Sequence, residues 1–198
     1  SLQILAKSGV GIPKTVFSRE TDEVDDILDM LGGAPVIIKV AKGTHGKGVV
    51  LAETKKAAKA VMQAFYVEGV NFLIQEFIAE SAGSDIRAFV VGNQVVASMK
   101  RQSLDDDFRS NLHMGGEGKA IKLTETEKKM ALKAAKAMGL QICGVDMIRS
   151  EQGPMVLEVN ASPGFRIEQV TNRDIATKII EYVEKNAKQR NRKDRIGA

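Results

Sequence analysis

Glu158 and Asn160 stand two apart in an apolar run, 155–160, that reads as a strand, so both project from one face together with Val156, while Leu157 and Val159 face the other way. Asp146 sits in the preceding apolar run, 142–148, and comes opposite them if the two runs pair around Gly153. An acid in the middle of such a run needs a cationic partner, because burying a bare carboxylate is costly. Two carboxylates and an amide suit a hard cation such as Mg2+, which takes one or two protein carboxylates and completes its shell with phosphate oxygens and water. Zinc is not expected, since His45 and His113 lack zinc-ligand spacing. The competing reading is a structural ion pair of Asp146 with Arg149 or Lys100.

A second group of residues points at an anion. Gly43, Gly46 and Gly48 let a backbone approach a ligand closely and aim amides at it, and Lys42 and Lys47 add charge. The spacing is neither that of a Walker A loop nor that of a dinucleotide fingerprint, because Lys47 precedes Gly48, Leu51 occupies the third glycine position and a strand follows. Taken alone, the loop reads equally as a plain hairpin turn. Lys39, flanked on both sides by apolar residues in 36–40, either snorkels at a sheet edge or meets a buried anion. The stretch 102–118 is a long polar connection carrying Arg109, Ser110 and Asn111, and loops of that length are usually functional. Together these groups describe a Mg-nucleotide phosphoryl-transfer site.

The elements that must position them follow from periodicity. A helix closes at Gly9, a strand runs over 14–17, and an acidic helix over 21–31 carries Val24, Ile27, Leu28 and Leu31 on one face. Strands over 36–41 and 49–52 flank the glycine-rich loop, followed by a helix over 54–65, a strand over 72–78 and a hairpin of 85–91 with 94–100 turning at Gly92 and Asn93. Thr124 with Glu127 forms a capping box for a helix to Met138, and a last helix opens near Asp174. Hairpins without regular βαβ alternation indicate an α+β class with mostly antiparallel sheets.

The 198 residues, 43% hydrophobic and 27% charged, are enough to bury a core, and neither a signal peptide nor a spanning segment is evident. Cys143, the single cysteine, reads as a buried small hydrophobe of a reducing compartment, so the cytoplasm is the expected location and no membrane partner is expected. The net charge of +4 resides in the tail, since 185–198 holds six basic residues and one acid, leaving the other 184 residues with 23 basic and 24 acidic side chains. With no Trp and 5% aromatics, direct nucleic-acid binding through stacking is not expected.

The ordered motifs resemble the ATP-grasp carboxylate-amine ligases: the strand lysine, the glycine-rich hairpin loop, Gln75-Glu76-Phe77-Ile78, Asp85-Ile86-Arg87, Phe108-Arg109-Ser110-Asn111, Asp146, and Glu158-Val159-Asn160-Ala161-Ser162-Pro163-Gly164. Within that class they are most similar to the RimK-like family of glutamate ligases. The resemblance implies an ATP-grasp fold of two α+β subdomains, 1–76 with the glycine-rich loop and 77–184 with the metal site, followed by a frayed basic tail over 185–198. It implies that Lys39 and Arg109 serve catalysis at the ATP phosphates, with Gly43, Gly46, Gly48, Ser110 and Asn111 around them. It further implies that Glu76 and Phe77 form the hinge against adenine, that Asp85 lies near the ribose, and that Asp146, Glu158 and Asn160 hold two Mg2+ or Mn2+ ions. The activity implied is ATP-dependent addition of L-glutamate to the C-terminus of a small-subunit ribosomal protein through an acyl phosphate, the glycine-rich loop acting as a lid. The alternatives are a ligase acting on a cofactor or biosynthetic carrier, or a non-catalytic nucleotide-dependent module docking on ribosomes. Lys100, Arg101 and Arg109 are available to neutralise acidic substrates, and homo-oligomerisation is left open. The family also carries an N-terminal domain and an ATP-contacting Lys upstream of the positions matching Ser1, and Met114 stands where an Arg is expected.

Overall fold

The computed structural model describes residues 1–18, 24–41, 48–104, 108–110 and 116–187. In chain order the elements are α1 (Leu2–Lys7), β1 (Thr15–Ser18), α2 (Val24–Leu31), β2 (Val36–Val40), β3 (Val49–Ala52), α3 (Lys55–Val67) and β4 (Phe72–Glu76), then a 3-10 turn (Ala79–Ser81). They continue with β5 (Ser84–Val91), β6 (Gln94–Gln102), β7 (Glu117–Ala120), α4 (Glu125–Ala137), β8 (Ile142–Ser150), β9 (Gly153–Asn160), α5 (Arg166–Thr171) and α6 (Ile175–Asn186).

The β-branched runs pair into two antiparallel sheets, one ordered β1-β4-β2-β3 and the other β7-β6-β5-β8-β9. One face of the first sheet (Val36, Ile38, Phe72, Ile74) is buried under the apolar stripe of α2 (Val24, Ile27, Leu28, Leu31) and under Ala58 and Met62 of α3. One face of the second sheet (Ile86, Ala88, Val90, Cys143, Val145, Met147) packs against Ala131, Ala134 and Ala135 of α4. Leu2 and Leu5 of α1 join this second core, so the chain's first helix lies with the second sheet although its sequence precedes the first.

The other face of the second sheet is divided along its strands. Phe89, Val91, Ala97 and Met99 are covered by Ile167 of α5 and Ile175 next to the α6 N-cap. At the opposite end of the same strands this face carries Asp85, Arg87, Arg101 and Asp146, and α5 and α6 stop short of them. Residues 77–83 carry the chain from the first sheet to the second.

Three expectations need correction. The stretch 102–118 is not all loop, because Glu117–Ala120 forms β7 on the edge beside β6, and α5 was not foreseen. The strand from Phe72 ends at Glu76, not at residue 78. Val156 does not share a face with Glu158: the register slips between Asp146 and Met147, pairing Asp146 with Glu158 but Met147 with Val156. The extra residue, Leu157, makes a bulge, so Val156 turns into the core under α4 while Glu158 stays on the open face.

Candidate functional site

On the first sheet Ile37, Lys39, Leu73, Gln75 and Thr15 share the face turned away from α2 and α3. The Lys39 ammonium donates to Gln75 Oε1 at 2.7 Å, Gln75 Nε2 donates to Thr15 Oγ1 at 2.9 Å, and Thr15 Oγ1 donates to the Pro13 carbonyl at 2.8 Å. Gln75 is fully buried, so the lysine is held by a neutral acceptor on a fixed chain of hydrogen bonds. Burial lowers the Lys39 pKa, and the negative charge of Glu158 partly restores it. The lysine of one sheet therefore feels a carboxylate of the other across the gap between them.

Gly48 closes the hairpin behind Lys39. It lies at φ +76°, a Cβ there would fall 2.3 Å from Val40 Cγ2, and its carbonyl accepts from Val40 N at 2.9 Å. Only glycine fits. Gly43, Gly46, Asn111 and Met114 lie outside the described residues.

On the second sheet the pairing puts Arg87 opposite Asp146 and Asp85 opposite Arg101. Arg87 Nε and Nη2 donate to Asp146 Oδ1 and Oδ2 at 2.7 and 2.5 Å, and Arg101 Nη2 donates to Asp146 Oδ2 at 2.9 Å. Arg101 also grips both oxygens of Asp85, with Nε to Oδ1 at 2.6 Å. The cationic partners of Asp146 are thus Arg87 and Arg101, not Arg149 or Lys100; Arg149 Nε instead reaches Glu127 Oε1 at 2.6 Å. Burial opposes ionisation of Asp146, yet the two guanidiniums hold its pKa below the usual range. For Arg101 the same two carboxylates outweigh burial and raise the pKa. Burial pushes the Asp85 carboxyl up against the pull of Arg101.

Beyond Asp146 lies Glu158, whose carboxyl is within hydrogen-bonding reach of it; burial and then the Asp146 charge raise the Glu158 pKa. Asn160 Nδ2 donates to Glu158 Oε1 at 2.9 Å and stands 3.5 Å from Asp146 Oδ2. The three side chains singled out from spacing are therefore gathered. Two carboxylates pressed together, one of them open to solvent, form a set that a hard divalent cation would relieve, and oxygen donors are the ligands Mg2+ takes. Among the described residues no three or more His, Cys, Asp or Glu side chains are grouped so as to hold a metal ion.

The remaining expected residues fall around this centre. Glu76 ends β4, where its Oε1 accepts from Lys14 N at 2.7 Å, and Phe77 begins the segment between the sheets. Ser110 is buried and hydrogen-bonds Asp85, and the Arg109 guanidinium lies 5.5 Å from the Phe108 ring centroid. Asp85 is only 5% exposed, and Arg101 donates to both its oxygens. Gln75 and Arg87 were quoted only as parts of motifs; their signal in the sequence is a polar residue at an inward strand position.

Two antiparallel sheets joined by residues 77–83, with a buried lysine on one that feels the carboxylate of Glu158 on the other, are an arrangement of the ATP-grasp class of fold. Comparison with solved structures agrees: the ATP-grasp ligase PsnB complexed with minimal precursor superposes with a TM-score of 0.74 at 25% identity, covering 94% of this chain and 58% of that one. The D-cycloserine synthetase DcsG gives 0.77 at 20% identity over 94% of this chain and 69% of that one. The description "RimK-like ATP-grasp domain" matches residues 1–183, and the chain belongs to that family. It is 54% identical over 188 residues to a probable alpha-L-glutamate ligase of Nitrosococcus oceani, covering 94% of this chain and 62% of that protein. A protein of the same description from Coxiella burnetii is 56% identical over 189 residues, covering 95% and 63%. The chain spans a little under two thirds of the length of these curated relatives.

Proposed function

We propose that this chain is the nucleotide-binding part of an ATP-dependent carboxylate-amine ligase that adds L-glutamate to the C-terminal carboxylate of a polypeptide, a small-subunit ribosomal protein being the acceptor the family resemblance suggests. The observation that carries the reading is the Lys39 ammonium facing Glu158 across the two sheets, with Asp146 and Asn160 beside that carboxylate. The names of the relatives, probable alpha-L-glutamate ligases, support glutamate as the incoming amino acid.

In the reaction proposed, an acceptor carboxylate oxygen attacks the terminal phosphorus of ATP and ADP leaves. The amine of glutamate then attacks the acyl carbon, phosphate departs, and the amine gives up a proton. Lys39 is suited to hold terminal phosphate oxygens, because Gln75, a neutral acceptor, fixes its position without neutralising its charge. Arg109 supplies a second cation to the phosphates and Ser110 anchors it from the neighbouring position. Glu76 and Phe77, between the sheets, would line the adenine end. Asp146, Glu158 and Asn160 would hold Mg2+ or Mn2+, two ions on the family pattern. Bound there, the metal would neutralise charge developing on the phosphates. No helix of the described residues is long and apolar enough to cross a membrane.

The test is ADP release by the full protein with a panel of amino acids and of peptides ending in a free carboxylate, alongside Glu158→Gln. Stimulation by L-glutamate, lost in that variant, is expected. Turnover indifferent to glutamate, or retained by Glu158→Gln, would overturn the reading.

A further inference from the structure

The face of the second sheet that packs on α4 runs past the helix at one end. Lys100 pairs with Ile86, and Ile86 with Met147, across β6, β5 and β8, and both Ile86 and Met147 belong to the core under α4. Lys100 therefore stands on that face, behind Asp85, Arg101 and Asp146, and not in the cleft where acidic substrates were expected to meet it. Ser84, two residues before Ile86, and Arg149, two after Met147, share the face, and the contact of Arg149 with Glu127 of α4 agrees with that placement.

At this end the side chains enclose a cavity of about 120 Å3, lined by Glu80, Ser81, Ser84, Ile86, Lys100 and Arg149, with Asp85 between Ser84 and Ile86. At roughly 30 Å3 for each water-sized group, that is room for a carboxylate and a short stem, and far too little for a nucleotide. The lining groups are not equally committed. Arg149 Nε and Nη2 are held by Glu127, and the Ser81 hydroxyl donates to the Arg149 carbonyl. Arg101 takes the Asp85 carboxylate, and Glu80 Oε1 accepts from Glu151 N at 2.9 Å at the exposed rim. The side chains of Lys100 and Ser84 are half-buried and have no hydrogen-bond or ion-pair partner among the described residues. A compact ammonium with three donors and a hydroxyl thus border the cavity with their bonding capacity unused.

We propose that this cavity is a binding site for a small carboxylate, separate from the nucleotide cleft on the other face of the sheet. The carboxylate accepts from Lys100 Nζ and Ser84 Oγ, its stem lies on Ile86, and the Arg149 guanidinium adds positive charge at the side. Glu80 at the rim opposes a second negative charge, so a monocarboxylate or the carboxylate end of a peptide suits the site better than a dianionic phosphate.

The experiment titrates sodium acetate into the 15N-labelled full protein, with and without saturating Mg-ADP, and follows the amide resonances of Ser84, Ile86, Lys100 and Arg149. Sodium chloride at equal ionic strength is the control. Saturable shifts with acetate, absent with chloride and retained with Mg-ADP bound, are expected. Acetate affinity should fall about 10- to 100-fold in Lys100→Met and about 2- to 10-fold in Ser84→Ala, the worth of a charged and of a neutral hydrogen bond. Melts of both variants verify folding, and if Lys100→Met does not fold, Ser84→Ala decides by the same measure. Trialanine and its C-terminal amide distinguish the sources of the group. Competition by the free peptide alone assigns the site to a chain end, and competition by neither assigns it to a free acid. The proposal is overturned if chloride reproduces the shifts, if the amide competes as well as the free peptide, or if a folded variant binds acetate as the wild type does. It is overturned as well if Mg-ADP displaces acetate, which would make the cavity part of the nucleotide cleft.

Discussion

Gly144 provides a measurable link between packing and the site. It pairs with Asn160 across β8 and β9, two residues before Asp146, and has no side chain where Pro163 lies over it. In Gly144→Ala the added Cβ would stand 2.9 Å from Pro163 Cβ and 3.8 Å from Arg87 Cδ. The first distance is shorter than carbon atoms tolerate, and the obstacle is a rigid ring. Something must shift: the turn 161–164, and with it Asn160, or the strand. Overpacking of this kind costs about 1–3 kcal/mol. For a chain of this size each kcal/mol corresponds to roughly 2–4 °C in Tm, so a fall of about 2–12 °C is expected. Mn2+ affinity should fall as well, because Asn160 moves with the turn. Gly164→Ala is the control: it lies in the same turn with nothing within 4 Å of its Cβ, and its effect should stay within about 0.5 kcal/mol. Calorimetry and a Mn2+ titration on both variants decide the matter. A Gly144→Ala protein that melts with the wild type and binds Mn2+ equally would refute the claim that the proline turn is seated on a bare backbone.

Two further outcomes follow from charged groups. Lys39→Met removes a cation whose pKa burial lowers, so the variant should be at least as stable as the wild type at neutral pH while nucleotide affinity falls about 10- to 100-fold, the worth of a charge-assisted hydrogen bond; a melt and an ADP titration read both. Glu127 contributes with the opposite sign. Burial opposes its ionisation, but Arg149 and the Thr124 backbone N–H outweigh it and hold its pKa below the ordinary value of 4.5. Its contribution is therefore complete above that value and is lost as pH falls through the lower folded one. Glu127→Gln should cost about 1 kcal/mol at pH 7, and the difference from wild type should vanish in strongly acid solution, as urea melts at the two pH values would show.

Much of the architecture was legible because the residues that punctuate it act locally. The Thr124–Glu127 capping box opens α4, glycines close α1 and α2, and Asp174 caps α6 through Thr177 N at 2.8 Å. What escaped was what depends on a neighbour. The sequence of β7, Glu-Gly-Lys-Ala, has no apolar alternation and is a strand only because β6 offers it an edge. The six residues of α5 are too few for helical periodicity to register.

The candidate site divides along the same line, and Leu157 shows why. Counting by twos from Glu158 puts Val156 on its face and Leu157 on the other. The structure instead uses Leu157 as the extra residue of a bulge, which lets Val156 fill the core beneath α4 and keeps Glu158 opposite Asp146. The turn at Gly153 shows that the two strands pair, but the register it sets, Ser150 opposite Gly153, would place Asp146 against Leu157; the bulge is what brings Glu158 opposite Asp146. The cations were not deducible either: Arg87 and Arg101 reach Asp146 from strands distant in sequence, whereas Arg149, three residues on, is turned to Glu127. Spacing thus identifies which oxygen atoms can gather, but whether their charge remains available to a metal depends on strand neighbours that only the assembled sheet supplies.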